Sequence, residues 1–339
     1  MTDMEILLQQ LAGIRAEIEM GCEDCWILMV PSSIGEIATV SALIPAFRER
    51  FGGRICLVID SGKQAVTEVF SNTVDIVKLA PLAVQRALST YGVINPLEFR
   101  MGAPLNLWIN QNGDGRGLLL HELFVEQPGR GGLSFLDMMR FAMNLPWDAP
   151  ITLGKIRPEI AAEAEAFAEQ IGIEPGNSVV FFTGNNSNKP APAELWNALA
   201  KEYRKAGKKV FFNTQGGLFQ PAGLDVGEAQ LGLSSSMAVA VCDIAGHMVS
   251  CANGLMLMSL MTDTTFGIDV LLTDGICTKG IGDFQPADPQ MGSTFRAAPE
   301  LVTGISRPYR EWVAIDGAAD LTDIAQAIVA GSHLATTAW

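Results

Sequence analysis

The chain has 339 residues, 48% of them hydrophobic and 18% charged, with a formal net charge of −14. That length exceeds what a single core usually supports and predicts two domains, and the composition excludes a disordered chain. The acidic balance excludes a nucleic-acid partner, which needs clustered Lys and Arg, and argues against docking on anionic lipid through a broad basic surface.

Met4–Glu19 reads as an amphipathic helix with apolar positions at Ile6, Leu7, Leu11, Ile14 and Ile18. Acids stand there where a secretory signal would be basic. The six cysteines, at 22, 25, 56, 242, 251 and 277, are read as reduced thiols. Cys22 and Cys25 form a C-x-x-C that has no second pair at zinc spacing and precedes a strand, so packing is its expected role. Apolar runs break well before 18 residues, the length a membrane span needs. The expectation is a soluble cytoplasmic protein.

Trp26–Phe51 is the most informative stretch. An apolar run, Trp26–Val30, predicts a buried strand, followed by the polar elbow Pro31-Ser32-Ser33-Ile34-Gly35-Glu36. A helix then carries Ile37, Val40, Ile44, Phe47 and Phe51 along one face of a 3.6-residue period. Ligands of open parallel sheets bind outside the carboxyl ends of such strands. Glu36 at the helix start has two readings: a carboxylate favoured by the helix dipole, or a general base facing the crevice.

The alternation continues with a strand at Ile55–Ile59, a helix over Lys63–Phe70 and a strand near Val74–Leu79. Strands are expected at Asn106–Asn110 and Leu118–Val125 and a helix at Ser134–Leu145. Pro146–Pro158 reads as a linker, and Glu159–Gly172 as an Ala/Glu-rich helix.

The pattern then restarts: strand Ser178–Phe182, polar loop Thr183–Lys189, helix Ala193–Ala206 and strand Lys209–Phe212. Helix Met237–Gly246, strand Met248–Cys251, an Ala252-Asn253-Gly254 elbow, the Met-rich helix Leu255–Met261 and strand Ile268–Leu272 come next. Lys279–Ser306 is expected to be a long loop, before a strand at Val313–Ile315 and a helix at Leu321–Ala330. Two Rossmann-like α/β domains, 1–160 and 161–339, are the economical arrangement, with the last helix a candidate to pack back on the first; a single large sheet is the alternative.

Three loops thus leave strands and enter helices, at Ser32–Glu36, Thr183–Lys189 and Ala252–Leu255. Each could hold phosphate or sugar hydroxyls on helix N–H groups, yet none carries G-x-G-x-x-G or a Walker motif. Lys189 is either a solvated surface lysine or the cation for a diphosphate. His121, His247 and His333 are isolated, so no metal site is expected, and His247 reads as structural.

The segment PSSIGEIATVSALIPAFRERFGGRICLVID resembles the opening of the ADP-heptose:lipopolysaccharide heptosyltransferases. FFTGNNSNKPAPAELWNALAKEYRKAGKKVFF and DIAGHMVSCANGLMLMSLMT resemble two later blocks of the same family, in the same order. The resemblance implies a GT-B glycosyltransferase with two facing Rossmann-like domains, acceptor side first and nucleotide-sugar side second. It also implies an inverting, metal-independent transfer with no cofactor beyond the nucleotide-diphospho-sugar donor. Glu36 would be the catalytic base, with Ser32, Ser33 and Gly35 forming the acceptor elbow. Lys189 would neutralise the leaving diphosphate, and Thr183, Gly184, Asn185, Asn253 and Gly254 would line the donor cleft.

The family's acid and histidine in the last block fall at Ala252 and Leu257, and Thr214–Leu218 lacks its acidic residue. Two other readings therefore stand beside catalysis: an inactive GT-B relative serving as a partner subunit, and a nucleotide-sugar epimerase. The acceptor is expected to be a glycan or a protein in envelope or surface glycosylation, the acidic chain favouring a soluble or proteinaceous one.

Overall fold

The computed structural model describes residues 2–22, 24–30, 33–90, 96–97, 105–109, 116–120, 136, 139–140, 143–184, 191–214, 221–225, 230–251, 253–273, 309–314 and 321–331. It divides into two compact units, Met1–Lys155 and Ile156–Trp339.

The first unit runs α1 (Asp3–Glu19), β1 (Cys25–Met29), α2 (Ile34–Phe51), β2 (Arg54–Ile59), a 3-10 turn (Ser61–Lys63), α3 (Ala65–Val69), β3 (Ile76–Leu79) and α4 (Leu82–Thr90). Strands β4 (Pro96–Leu97), β5 (Leu105–Ile109) and β6 (Arg116–Leu120) complete it. Among the described residues the sheet order is β3-β2-β1-β6-β5-β4. β1, β2, β3 and β6 are parallel, whereas β5 pairs antiparallel with β6 and β4 antiparallel with β5, so β5 is the reversed strand among those described.

β1 and β2 are buried on both faces, which is why they read as continuous apolar runs rather than alternations. One face packs Cys25, Ile27, Met29, Cys56 and Val58 against Leu11 and Ile18 of α1 and Leu88 of α4. On the other, Trp26 meets Phe47 of α2 edge-on at 5.3 Å. α2 ends at Gly52, whose φ of 69° is the left-handed conformation that stops the helix and turns the chain into β2. The C-x-x-C expected to be packing is buried core, and burial, Cys22 and Asp24 together push the Cys25 thiol up to about 12.

Three expectations are corrected. The helix expected over Lys63–Phe70 is a 3-10 turn followed by the short α3, because the Asp60 carboxylate accepts the Gly62 N–H at 3.0 Å and fixes a tight turn first. α4 lies where no helix was expected. The proline-rich Pro146–Pro158 stretch is no free tether: Thr152 N–H donates to Ala42 O at 2.8 Å and Lys155 N–H to Val69 O at 2.7 Å. Gly154 between them packs so closely that a Cβ would stand 2.8 Å from the Phe70 ring.

The second unit runs α5 (Pro158–Ile171), β7 (Ser178–Phe182), α6 (Ala193–Lys205), β8 (Lys209–Asn213), β9 (Gln230–Leu231) and α7 (Ser235–Ala245). It continues with β10 (His247–Cys251), α8 (Gly254–Leu260), β11 (Gly267–Thr273), β12 (Tyr309–Ala314) and α9 (Leu321–Ala330). Among the described residues its sheet is parallel throughout, in the order β12-β11-β10-β7-β8-β9. Val179, Phe181, Val210 and Phe212 face Leu195, Trp196, Leu199 and Tyr203 of α6, a period of two meeting a period of 3.6. α9 buries Ile324, Ala325 and Ile328 in this core. The expected loop Lys279–Ser306 and the expected helix at Ser134–Leu145 lie wholly or largely outside the described residues.

Candidate functional site

Each sheet has one place where the chain reverses its direction of winding, the place where crevices open at the carboxyl ends of strands. In the first unit β1 is followed by β2 and β3 on one side while β6 lies on the other. In the second, β7 leads to β8 on one side, while β10 leads to β11 on the other. The loops singled out from sequence leave β1, β7 and β10, the strands that flank these two switch points.

At the first switch point α2 begins at Ile34, with Ser33 as N-cap and Glu36 in the first turn. Glu36 is 8% exposed and Gly35 is buried. The Ser33 hydroxyl donates to Glu36 Oε2. Among the described residues this is the carboxylate's only hydrogen bond, and no ion pair involves it. A carboxylate carries about four acceptor positions, so most of its hydrogen-bonding capacity is uncommitted. Ser32 lies outside the described residues.

At the second switch point β7 and β10 lie in parallel register, Phe182 opposite Ser250. Thr183 and Gly184 follow β7, and Thr183 is fully buried. Asn253 is the N-cap of α8: its Oδ1 accepts the Met256 N–H at 2.9 Å while its Nδ2 donates to Gly184 O at 3.3 Å. One side chain thus caps a helix and fastens the loop of the neighbouring strand. Gly254 is the first residue of α8. The structure brings Thr183, Gly184, Asn253 and Gly254 together, all neutral. Lys189, Asn185 and Ala252 lie outside the described residues. Leu257, at the position of the family's histidine in the resemblance, is a buried side chain of α8.

The strongest polar cluster was not read from the sequence, and it lies at the opposite, amino end of the second sheet. Asp269 of β11 is fully buried. Arg310 donates to both its oxygens at 2.7 Å, Trp312 Nε1 to Oδ1 at 2.8 Å and His247 Nε2 pairs with Oδ2 at 2.8 Å. The Tyr203 hydroxyl adds a longer bond of 3.4 Å. Burial alone would raise this carboxyl, but the bonds from His247, Arg310 and Trp312 outweigh it and hold it below the usual range. Burial also drives the Tyr203 phenol upward. His247 is structural in this sense, as expected, but as part of a charged lock rather than a lone core imidazole. Among the described residues no three metal-ligating side chains converge, and no helix is long and apolar enough to cross a membrane.

No protein-family model matches the sequence, and no curated protein matches it. Solved structures are similar to it. A family 9 glycosyl transferase from Veillonella parvula superposes with a TM-score of 0.58, covering 91% of this chain and 95% of its own at 14% identity. The architecture is GT-B. The ADP-heptose lipopolysaccharide heptosyltransferase II of E. coli gives a TM-score of 0.53, covering 91% of this chain and 97% of its own, again at 14% identity. At that identity it is the GT-B fold that is shared, and the chemistry must be argued from the residues.

Proposed function

We propose that this GT-B chain is an inverting glycosyltransferase that moves a sugar from a nucleotide-diphospho-sugar to a hydroxyl of a glycan or protein acceptor. The observation that carries the reading is Glu36, a carboxylate 8% exposed at the first switch point, with one hydroxyl partner and no cation among the described residues. Such a group is suited to accept a proton. In the reaction Glu36 takes the acceptor O–H proton as that oxygen bonds to the anomeric carbon. The bond from that carbon to the diphosphate breaks on the opposite face, and its electron pair leaves with the nucleoside diphosphate. Thr183, Gly184, Asn253 and Gly254 line the donor site with neutral polar groups, and Lys189 meets the diphosphate. No resident metal or cofactor is required by this scheme. The reading places the protein in the cytoplasm, where nucleotide-sugars are made, and the likeness to an ADP-heptose heptosyltransferase makes ADP-heptose the first donor to try.

A second reading, an inactive GT-B relative acting as a partner subunit, is favoured by one observation. Where the resemblance puts the family's acid and histidine this chain has Ala252 and Leu257, the latter a buried side chain of α8, and the Asn253 amide between them is engaged with Met256 and Gly184.

The test is a thermal-shift panel of ADP, GDP, UDP, CDP and their sugars, with Lys189→Ala as control. A ligand at a hundred times its dissociation constant adds about 2.7 kcal/mol of stability. One responding base, with the response lost in the Lys189 variant, supports a donor site. A flat panel on folded protein favours the partner-subunit reading.

A further inference from the structure

Two runs of the form Thr/Ser-x-x-Glu begin helices in this chain, and they are wired differently. At α1, Thr2 and Glu5 close a capping box: the Glu5 N–H donates to Thr2 Oγ1 at 3.3 Å and the Thr2 N–H to Glu5 Oε2 at 2.6 Å. That is the usual exchange, side chain to backbone in both directions, and it satisfies two orphan donors of the helix start. Both residues are exposed.

At α2 the backbone of Ser33 takes the same extended N-cap conformation, φ −81° and ψ 174° against −76° and 160° at Thr2. Its side chain nevertheless makes no cap bond. The hydroxyl proton goes to Glu36 Oε2 instead. The helix still starts, because the Ser33 carbonyl accepts the Ile37 N–H at 3.2 Å. A residue placed to cap has been turned onto a nearly buried carboxylate, and the sequence pattern alone would have predicted the box.

We propose that Ser33 is a positioning residue for Glu36, holding Oε2 so that Oε1 is presented to the acceptor hydroxyl. This rests on the reading of Glu36 as the base. Glutamate reaches its carboxylate through one more torsion than aspartate, and each free torsion dilutes the productive geometry. The Ser33 bond removes that freedom from the carboxylate end. The proton of the acceptor goes to Oε1, the hydrogen bond to Oε2 remains, and no proton is taken from Ser33.

The experiment compares wild type, Ser33→Ala, Ser33→Thr and Glu36→Gln by crystal structure, melting temperature and ADP release from ADP-heptose as the probe. Because Ser33 makes no cap bond, Ser33→Ala should leave the melting temperature unchanged while the Glu36 side chain loses its single conformation. Its kcat should fall roughly ten- to a hundredfold, the span of one hydrogen bond to a charged group, at unchanged KM for the donor. Ser33→Thr keeps the hydroxyl and should restore both. A Glu36 side chain ordered identically in Ser33→Ala, or a kcat that Thr does not rescue, would overturn the inference. If Glu36→Gln turns over like wild type, the reading of Glu36 as the base fails first. If it is inactive while Ser33→Ala is fully active, only the role of Ser33 fails. The crystallographic comparison needs no turnover, so it decides the geometry even for a protein that does not release ADP.

Discussion

Two buried carboxylates, one in each unit, show how the same functional group can be committed or kept available. Asp269 is fully enclosed and accepts from Arg310, Trp312, His247 and Tyr203. Its capacity is spent, and it sits at the amino end of its sheet, away from the crevice. Glu36 is nearly as enclosed, sits beside a switch point and holds one hydroxyl. Burial of a charge is costly unless it is paired and hydrogen-bonded, so an under-partnered buried carboxylate is the one for which a ligand-facing role explains the cost. Counting donors separates the two where burial alone does not.

The contrast is open to attack from several sides. Asp269→Asn should cost about 3–5 kcal/mol of unfolding free energy, since Arg310 would be left without its counter-charge; a denaturant titration reads this, and a loss under about 1 kcal/mol would dissolve the distinction. Replacing Glu36 by Gln should leave stability within about 0.5 kcal/mol, while transfer falls at least about a hundredfold. A large loss of stability there would make Glu36 a second lock.

Acid should act on the lock. The Asp269 carboxyl is held below its ordinary value, so the stability it lends is complete above about pH 4 and drains as pH falls through its folded value. Asp269→Asn should flatten that acid limb in melts taken across pH. The smallest effect concerns the tether at the second switch point. Asn253→Ala removes the α8 cap and the bond to Gly184 and should cost about 1 kcal/mol, with the nucleotide response weakened by more than the stability loss explains.

What the sequence made legible follows the range of the interactions. β1, β7 and β10 are buried on both faces, and the Ser-, Thr- and Asn-rich loops after them are local signals, so the strand-end loops could be found without coordinates. The Asp269 lock could not. Its acid sits in an ordinary strand run, and Arg310 and Trp312 are 41 and 43 residues away. The one available hint was an acid inside an apolar parallel strand, which must be paired to survive there. α4 was passed over because its core contacts come from Val84, Ala87 and Leu88, a short stripe after a proline that read as the start of a looser region. At Pro146–Pro158 the prolines signalled irregular backbone correctly, but irregular is not unattached. The partners of that stretch, Ala42 and Val69, are far upstream.

That attachment has a practical consequence for anyone wishing to study either half as an independent folding piece. The visible proline seam invites a cut near residue 146, yet such a cut would strip Thr152–Lys155 from α2 and α3 and uncover the ring of Phe70 that Gly154 closes over. A fragment ending at Lys155 keeps those contacts, and a C-terminal piece beginning at Ile156 keeps α5 whole, with Pro158 at its first turn, a position where proline suits a helix start. Only Ile156 and Arg157 then separate the last backbone bond of one half from the first helix of the other. The 1–155 fragment should melt cooperatively, and the 1–145 fragment should be prone to aggregate.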